Sequence, residues 1–283
     1  MIPEGIGRYQ GPARRILQPI VRRLWDFDIQ GLDNVPEVGP AVLCPNHAAF
    51  IDSLFVPAVL NRNLTYVGKA EYLDDWKTKR LFPALGMIPI DRRGGDHAKA
   101  ALDTARAVLE SGGLFGIYPE GTRSRSGKLH KGHTGAARLA VETGAPLIPV
   151  GLIGTAEIQP PDAFMPKCFR KVTIRFGRPI EVDRYRDRVG DRNVYRELTD
   201  EVMFEIQQLT GLEYVHEYAT SSKSEGDPQP ELVGADVSGP DAADPAPNGA
   251  AEQLLVERPA SDTVLEQRPL RPLDEILAGS ANG

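Results

Sequence analysis

The chain has 283 residues, 41% of them hydrophobic, with 33 Lys and Arg against 39 Asp and Glu for a net charge of −6. That apolar content supports one large packed core or two small ones and excludes a chain without a core. Two cysteines, Cys44 and Cys168, exclude a disulfide framework and have no metal-ligand spacing, and no run of eighteen or more apolar residues is present to cross a bilayer.

The first patterned stretch, residues 12–25, sets Ala13, Ile16, Leu17, Ile20, Val21, Leu24 and Trp25 at helical spacing, with Arg15 and Arg22 opposite and Arg14 and Arg23 flanking. Pro19 interrupts the pattern and is expected to kink or divide the helix. Such an Arg-rich amphipathic helix fits two settings: a bilayer interface with guanidinium groups at lipid phosphates, or the domain surface with a solvated basic face. Residues 27–31 alternate as a first strand, 34–40 turn, and the apolar run 41–44 is a second strand that stops at Pro45. A helix is expected over 51–60 with Pro57 inside it. A strand at 64–68, a short helix at 75–84 and a strand at 87–90 follow, leading into a loop at 91–95. Ala-rich residues 98–109 make a helix stopped by Gly112 and Gly113. A strand (114–118), a helix (132–143), strands at 147–152 and 172–176 and a helix at 194–209 complete the series. Strands alternating with helices predict an α/β fold, a largely parallel sheet flanked by helices, with ligand beyond the carboxyl ends of the strands.

From Glu217 onward thirteen acidic residues face four basic ones, with Pro, Gly, Ala and Ser repeated between them. This stretch carries −9 and leaves +3 of the total −6 on the preceding 216 residues, a balance that suits an anionic ligand or membrane surface. The expected division is an amphipathic N-terminal helix at 1–25, one domain at 26–216, and a disordered acidic tail at 217–283, dispensable for chemistry. With no signal-peptide core or cleavage site, the expected location is the cytoplasm, with any membrane contact peripheral.

Chemistry concentrates where the strand at 41–44 delivers Pro45-Asn46-His47-Ala48-Ala49-Phe50-Ile51-Asp52 into a turn. His47 and Asp52, five apart, would stand roughly 140° from each other on one regular helix, so one must lie outside it. With a helix starting just after His47, Asp52 reaches back to one imidazole nitrogen and leaves the other to take a proton from a substrate hydroxyl. Asp52 would fix the tautomer and stabilise the imidazolium, as in a serine protease triad whose nucleophile comes from the substrate. The bland alternative is a capping or surface pair. Cys44 reads as a buried strand cysteine.

Three further blocks follow in order: Gly86-Met87-Ile88-Pro89-Ile90-Asp91-Arg92, Tyr118-Pro119-Glu120-Gly121-Thr122-Arg123-Ser124 and Ala145-Pro146-Leu147-Ile148-Pro149-Val150. Together with Asn46-His47 and Asp52 they resemble the lysophospholipid acyltransferase family, of the 1-acylglycerol-3-phosphate acyltransferase type. Over residues 25–180 its pattern is Asn-His-x-x-x-x-Asp, Gly-x-x-x-x-x-Arg, Phe-Pro-Glu-Gly-Thr-Arg-Ser and a Pro-containing apolar strand. Tyr118 replaces the commoner Phe. The resemblance implies His47 and Asp52 as catalytic pair, Arg92 and Arg123 on the acceptor phosphate, and Glu120 and Gly121 in acceptor binding. Planar guanidinium groups suit a phosphate monoester, though surface arginines are common. A carboxylate beside them could instead be a structural bridge. Lys128, His130, Lys131 and His133 form a basic loop, for the donor's phosphates or simply solvated, and no ligand cluster supports a metal.

The expected activity is acyl transfer from an acyl thioester, acyl-CoA or acylated carrier protein, to the free hydroxyl of 1-acylglycerol 3-phosphate, making phosphatidic acid in phospholipid biosynthesis. No cofactor is expected beyond the thioester co-substrate. Expected partners are a lysophospholipid, the acyl donor and the inner face of the cell membrane, with no nucleic acid. The family tilts the N-terminal helix toward the membrane reading. A backbone N–H at the start of the helix after His47 is one candidate for the oxyanion donor. Alternatives are the same chemistry on glycerol 3-phosphate or another lysophospholipid, or a non-catalytic membrane lipid-binding protein.

Overall fold

The computed structural model describes residues 9–69, 86–90, 95–160, 163 and 165–219. The expected helix at 75–84, Arg92 with most of its loop, and the tail from 220 lie outside the described residues. The chain divides into two units, Met1–Val237 and Ser238–Gly283, and the second lies wholly outside them.

Helix α1 (Gln10–Leu24) leads into β1 (Asp26–Gln30), β2 (Ala41–Pro45), α2 (Asp52–Val59), β3 (Leu64–Lys69), β4 (Met87–Ile90), α3 (Gly95–Glu110) and β5 (Leu114–Gly116). Then come β6 (Leu129–His130), α4 (Gly135–Thr143), β7 (Leu147–Ile153), α5 (Thr155–Ile158), β8 (Lys171–Phe176), α6 (Arg192–Thr210) and β9 (Tyr214–Val215). Seven strands form one sheet in the order β1-β8-β7-β2-β5-β3-β4. Strands β7, β2, β5, β3 and β4 are parallel; β8 runs antiparallel to β7, and β1 follows β8. The expected α/β sheet is therefore present, with a reversed edge pair.

Strand β2 lies at its centre and is buried on both faces, which is why it reads as an unbroken apolar run. Alternation sends Val42 and Cys44 to the core shared with Leu139, Leu198 and Met203, and Ala41 and Leu43 to the core of Phe55, Val56 and Trp25. Burial pushes the Cys44 thiol far up, so it is an inert core residue.

Helix α1 runs through Pro19 as one helix, so the proline does not divide it. Pro19 and Arg15 both face solvent, where water can meet the carbonyl that the missing N–H leaves open. The apolar stripe of α1 splits. Val21 and Trp25 are buried in the domain, Trp25 edge-on to Phe55 at 5.1 Å with its indole N–H on the Lys167 carbonyl at 2.9 Å. Ile16, Leu17 and Ile20 remain 65%, 40% and 49% exposed. Periodicity alone groups all five and cannot separate the two sides of the stripe.

Order also extends past the expected boundary at 216. Leu129 and Lys131 give their N–H groups to the carbonyls of Glu213 and Glu217, pairing β6 with β9, and Ala219 is buried. Backbone pairing of this kind leaves no mark on composition.

Candidate active site

Beyond Pro45 the chain is pinned before it turns. The Asn46 side chain, 2% exposed, accepts the Leu152 N–H at 2.7 Å and donates to the Leu152 carbonyl at 3.0 Å, adding one rung to the β2–β7 ladder. His47 then projects from the carboxyl end of β2. Its Nδ1 lies 2.9 Å from Oδ2 of Asp52, the first residue of α2. The same oxygen accepts the N–H groups of Ala48 and Ala49, both at 2.8 Å, and Asp52 is fully buried. Asp52 Oδ1 is buried with no hydrogen-bond partner among the described residues. An ionised carboxylate only accepts, so Nδ1 carries the hydrogen and Nε2 keeps a lone pair. The His47 side chain is 15% exposed, enough to meet a substrate. His47 and Asp52 thus stand together as the sequence suggests.

The block at 118–124 grips the same residue from the next strand over. Glu120, 1% exposed, accepts the His47 N–H on Oε1 at 2.9 Å and the His130 N–H on Oε2 at 3.0 Å. The Ser124 N–H donates to the His47 carbonyl at 2.7 Å. Burial raises the Glu120 carboxyl to about 7, and the His47 and His130 N–H groups pull against that rise. The geometry adds a positioning role to the acceptor-binding role that the resemblance implies for Glu120. Both oxygens serve backbone donors, so Glu120 positions His47. Gly121 is also fixed from within: it takes φ +72°, and a Cβ there would lie 3.0 Å from His133 Cδ2.

Tyr118, which the family resemblance marks only as a departure from Phe, contributes the second wall. Its ring stacks on His47 at 3.8 Å between centroids and 17° between planes, and its hydroxyl lies 3.0 Å from Ser53 Oγ, the residue after Asp52. Burial holds the phenol well above its usual pKa, so it stays neutral. His47 therefore has Asp52 at its edge and Tyr118 on its face, both tied to the first turn of α2. Sequence spacing carries no signal for this stack.

Arg123 is half-buried in the same block, adjacent to the Ser124 that bonds His47. Arg92 lies outside the described residues; β4, parallel to β3, ends at Ile90 on the sheet edge where β2 delivers His47. The expected oxyanion donor at the start of α2 is not free. The N–H groups of Ala48 and Ala49 go to Asp52, that of Ile51 to Gln159, and those of Asp52, Ser53 and Leu54 to carbonyls of the turn. The basic loop meets the chain's own C-terminal segment. Lys128 pairs with Glu213 at 2.7 Å, His133 stacks on Tyr218 at 4.5 Å, and Lys131 Nζ sits 5.2 Å from the same ring. Among the described residues no cluster of three His, Cys, Asp or Glu could hold a metal.

A family model described as Acyltransferase matches residues 26–153, the span from β1 to the end of β7. A chloroplastic 1-acyl-sn-glycerol-3-phosphate acyltransferase of Brassica napus is 28% identical over 157 residues, 52% of this chain and 45% of that protein. The 1-acyl-sn-glycerol-3-phosphate acyltransferase alpha of Mus musculus is 30% identical over 124 residues, 44% of each chain. The chain thus spans about half the length of the curated relatives it matches. The crystal structure of a 1-acyl-sn-glycerophosphate acyltransferase from Thermotoga maritima superposes with a TM-score of 0.53 at 21% identity, covering 70% of this chain and 81% of that one, a likeness of fold.

Proposed function

We propose that the chain, which matches the acyltransferase family model over residues 26–153, moves an acyl group from a thioester to the free hydroxyl of 1-acylglycerol 3-phosphate, giving phosphatidic acid for phospholipid synthesis. The observation that supports this reading is the His47–Asp52 pair, whose Nδ1 contact leaves Nε2 for substrate. Nε2 takes the hydroxyl proton as the acceptor oxygen bonds to the thioester carbonyl carbon. The tetrahedral intermediate then collapses, the C–S bond breaks, and the imidazolium returns the proton to sulfur. A thiolate leaves readily, and acyl-CoA and an acylated carrier protein both supply one. Written this way, the reaction balances without a cofactor.

Arg123, with Arg92, is assigned to the acceptor phosphate, because a planar fork matches a phosphate monoester. Glu120 and Gly121 are assigned to acceptor binding as well, through the backbone they shape around His47. Among the described residues no helix is long and apolar enough to cross a membrane. The exposed Ile16, Leu17 and Ile20 of α1, beside its arginines, support peripheral docking on the inner, cytoplasmic face of the cell membrane.

Thiol release with purified protein tests the reading across 1-acylglycerol 3-phosphate, glycerol 3-phosphate, a lysophospholipid without a phosphate monoester, and no acceptor. Release should depend on the first. Arg123→Lys should raise acceptor KM more than donor KM; equal effects on both would reject the phosphate assignment.

A further inference from the structure

Between α5 and β8 the chain holds two apolar side chains out in water by well-made local structure. Met165 is 72% exposed and Phe169 79%. Phe169 has φ +56°, the single positive φ outside glycine among the described residues, and a bulky side chain adopts it only under constraint. The constraint is a set of four hydrogen bonds to neighbouring elements. Lys167 N–H donates to the Ile158 carbonyl at 2.8 Å, the Trp25 indole to the Lys167 carbonyl at 2.9 Å, Phe169 N–H to the Leu24 carbonyl at 2.6 Å, and Asp26 N–H to the Arg170 carbonyl at 3.1 Å.

These bonds fasten the segment to the last turn of α1. Along that helix Ile16, Ile20 and Leu24 follow one another at four-residue spacing on the side that the domain leaves uncovered or half-covered. Leu24 ends the stripe and accepts the Phe169 N–H, so Phe169 prolongs it. Residues 9–27 and 163–170 together hold Arg14, Arg15, Arg22, Arg23, Lys167 and Arg170 against a single acid, Asp26. Apolar tips ringed by cations match an anionic lipid surface, where the Phe169 ring and the Met165 thioether enter the headgroup boundary and the cations meet phosphates.

We propose that residues 165–170 are a second membrane-inserting element, which continues the α1 stripe and sets Met165 and Phe169 into an anionic bilayer. This rests on the peripheral docking described above. The test uses the full chain and sedimentation with vesicles of phosphatidylglycerol and phosphatidylcholine. The Met165→Ser, Phe169→Asn double variant removes the apolar tips, and Asn tolerates the left-handed backbone at 169, so thermal stability should hold. Vesicle affinity should fall about tenfold or more, while thiol release with a soluble short-chain acceptor stays unchanged. An Ile16→Asp, Ile20→Asp variant is run beside it. Loss of binding in that variant alone overturns the loop and leaves α1 docking intact; unchanged binding in both overturns both. A Phe169→Trp variant reads insertion directly even where the double variant folds poorly. Its added emission should move to the blue on anionic vesicles, and an unshifted spectrum overturns the proposal.

Discussion

At the turn carrying His47 the chain buries polar groups; along α1 and residues 165–170 it exposes apolar ones. In the turn, Asn46, Asp52 and Glu120 are all nearly or fully buried, and their hydrogen bonds go to the backbone around one imidazole. Buried polar groups are stable only when partnered, so each fixes a distance. Asp52 Oδ1, without a partner among the described residues, marks orientation held at some cost in stability. Along the outer surface Ile16, Ile20, Met165 and Phe169 stand exposed, and the proposed membrane is the partner that would cover them. Precision belongs to the first region and adaptability to the second, the division that the proposed acyl transfer at a lipid surface would require.

Asp52→Asn should break the first region most severely. An amide in its place loses the charge that orders Nδ1–H and the imidazolium, and kcat should fall about a thousandfold or more in a saturating assay. Vesicle binding should be untouched, which separates the two regions.

Glu120→Gln should have the next largest effect. An amide has one acceptor oxygen, so either the His47 or the His130 N–H would face an NH2 group, and an unmet buried donor costs about 1–3 kcal/mol. We expect kcat to fall about tenfold with little change in KM. The pH dependence sharpens the point. Burial raises the native carboxyl to about 7 from its usual 4.5, so the native chain holds this proton more tightly than the unfolded chain. The group's contribution to stability is full below about 4.5 and is lost as pH rises through about 7. Denaturation across that window should show a fall in the wild-type chain that Glu120→Gln lacks. The kcat profile should move oppositely: protonation below about 7 spoils one acceptor, and the variant should lose that part of the acid limb.

Tyr118→Leu should give the smallest change, about three- to tenfold in kcat, because the stack on His47 is worth about 0.5–1.5 kcal/mol. Tyr118→Phe keeps the ring and should restore the rate, losing only the Ser53 bond. Equal loss in both variants would mean the hydroxyl, not the ring, carries the effect.

The sequence made the strands and the His47–Asp52 pair legible because both follow from local rules: alternation, a Pro that ends a strand, and a five-residue offset that helix geometry cannot close. The roles of Tyr118 and Glu120 were not legible, since a ring stack across 71 residues and a carboxylate spanning His47 and His130 depend on which strands become neighbours. The split of α1 was hidden for the same reason. Val21 and Ile20 look alike in hydropathy, and only packing decides that one is 4% exposed and the other 49%. Order at 213–219 rests on backbone bonds to Leu129 and Lys131, which an acidic composition conceals.

The central claim is that His47 is the base and that the turn exists to hold it. The most direct measurement is single-turnover thiol release by His47→Ala with saturating thioester and 1-acylglycerol 3-phosphate, beside its circular dichroism and vesicle binding. The account expects a folded, membrane-binding protein whose acceptor-dependent release falls by about 10²–10⁴. Near-normal release from that folded variant would contradict it.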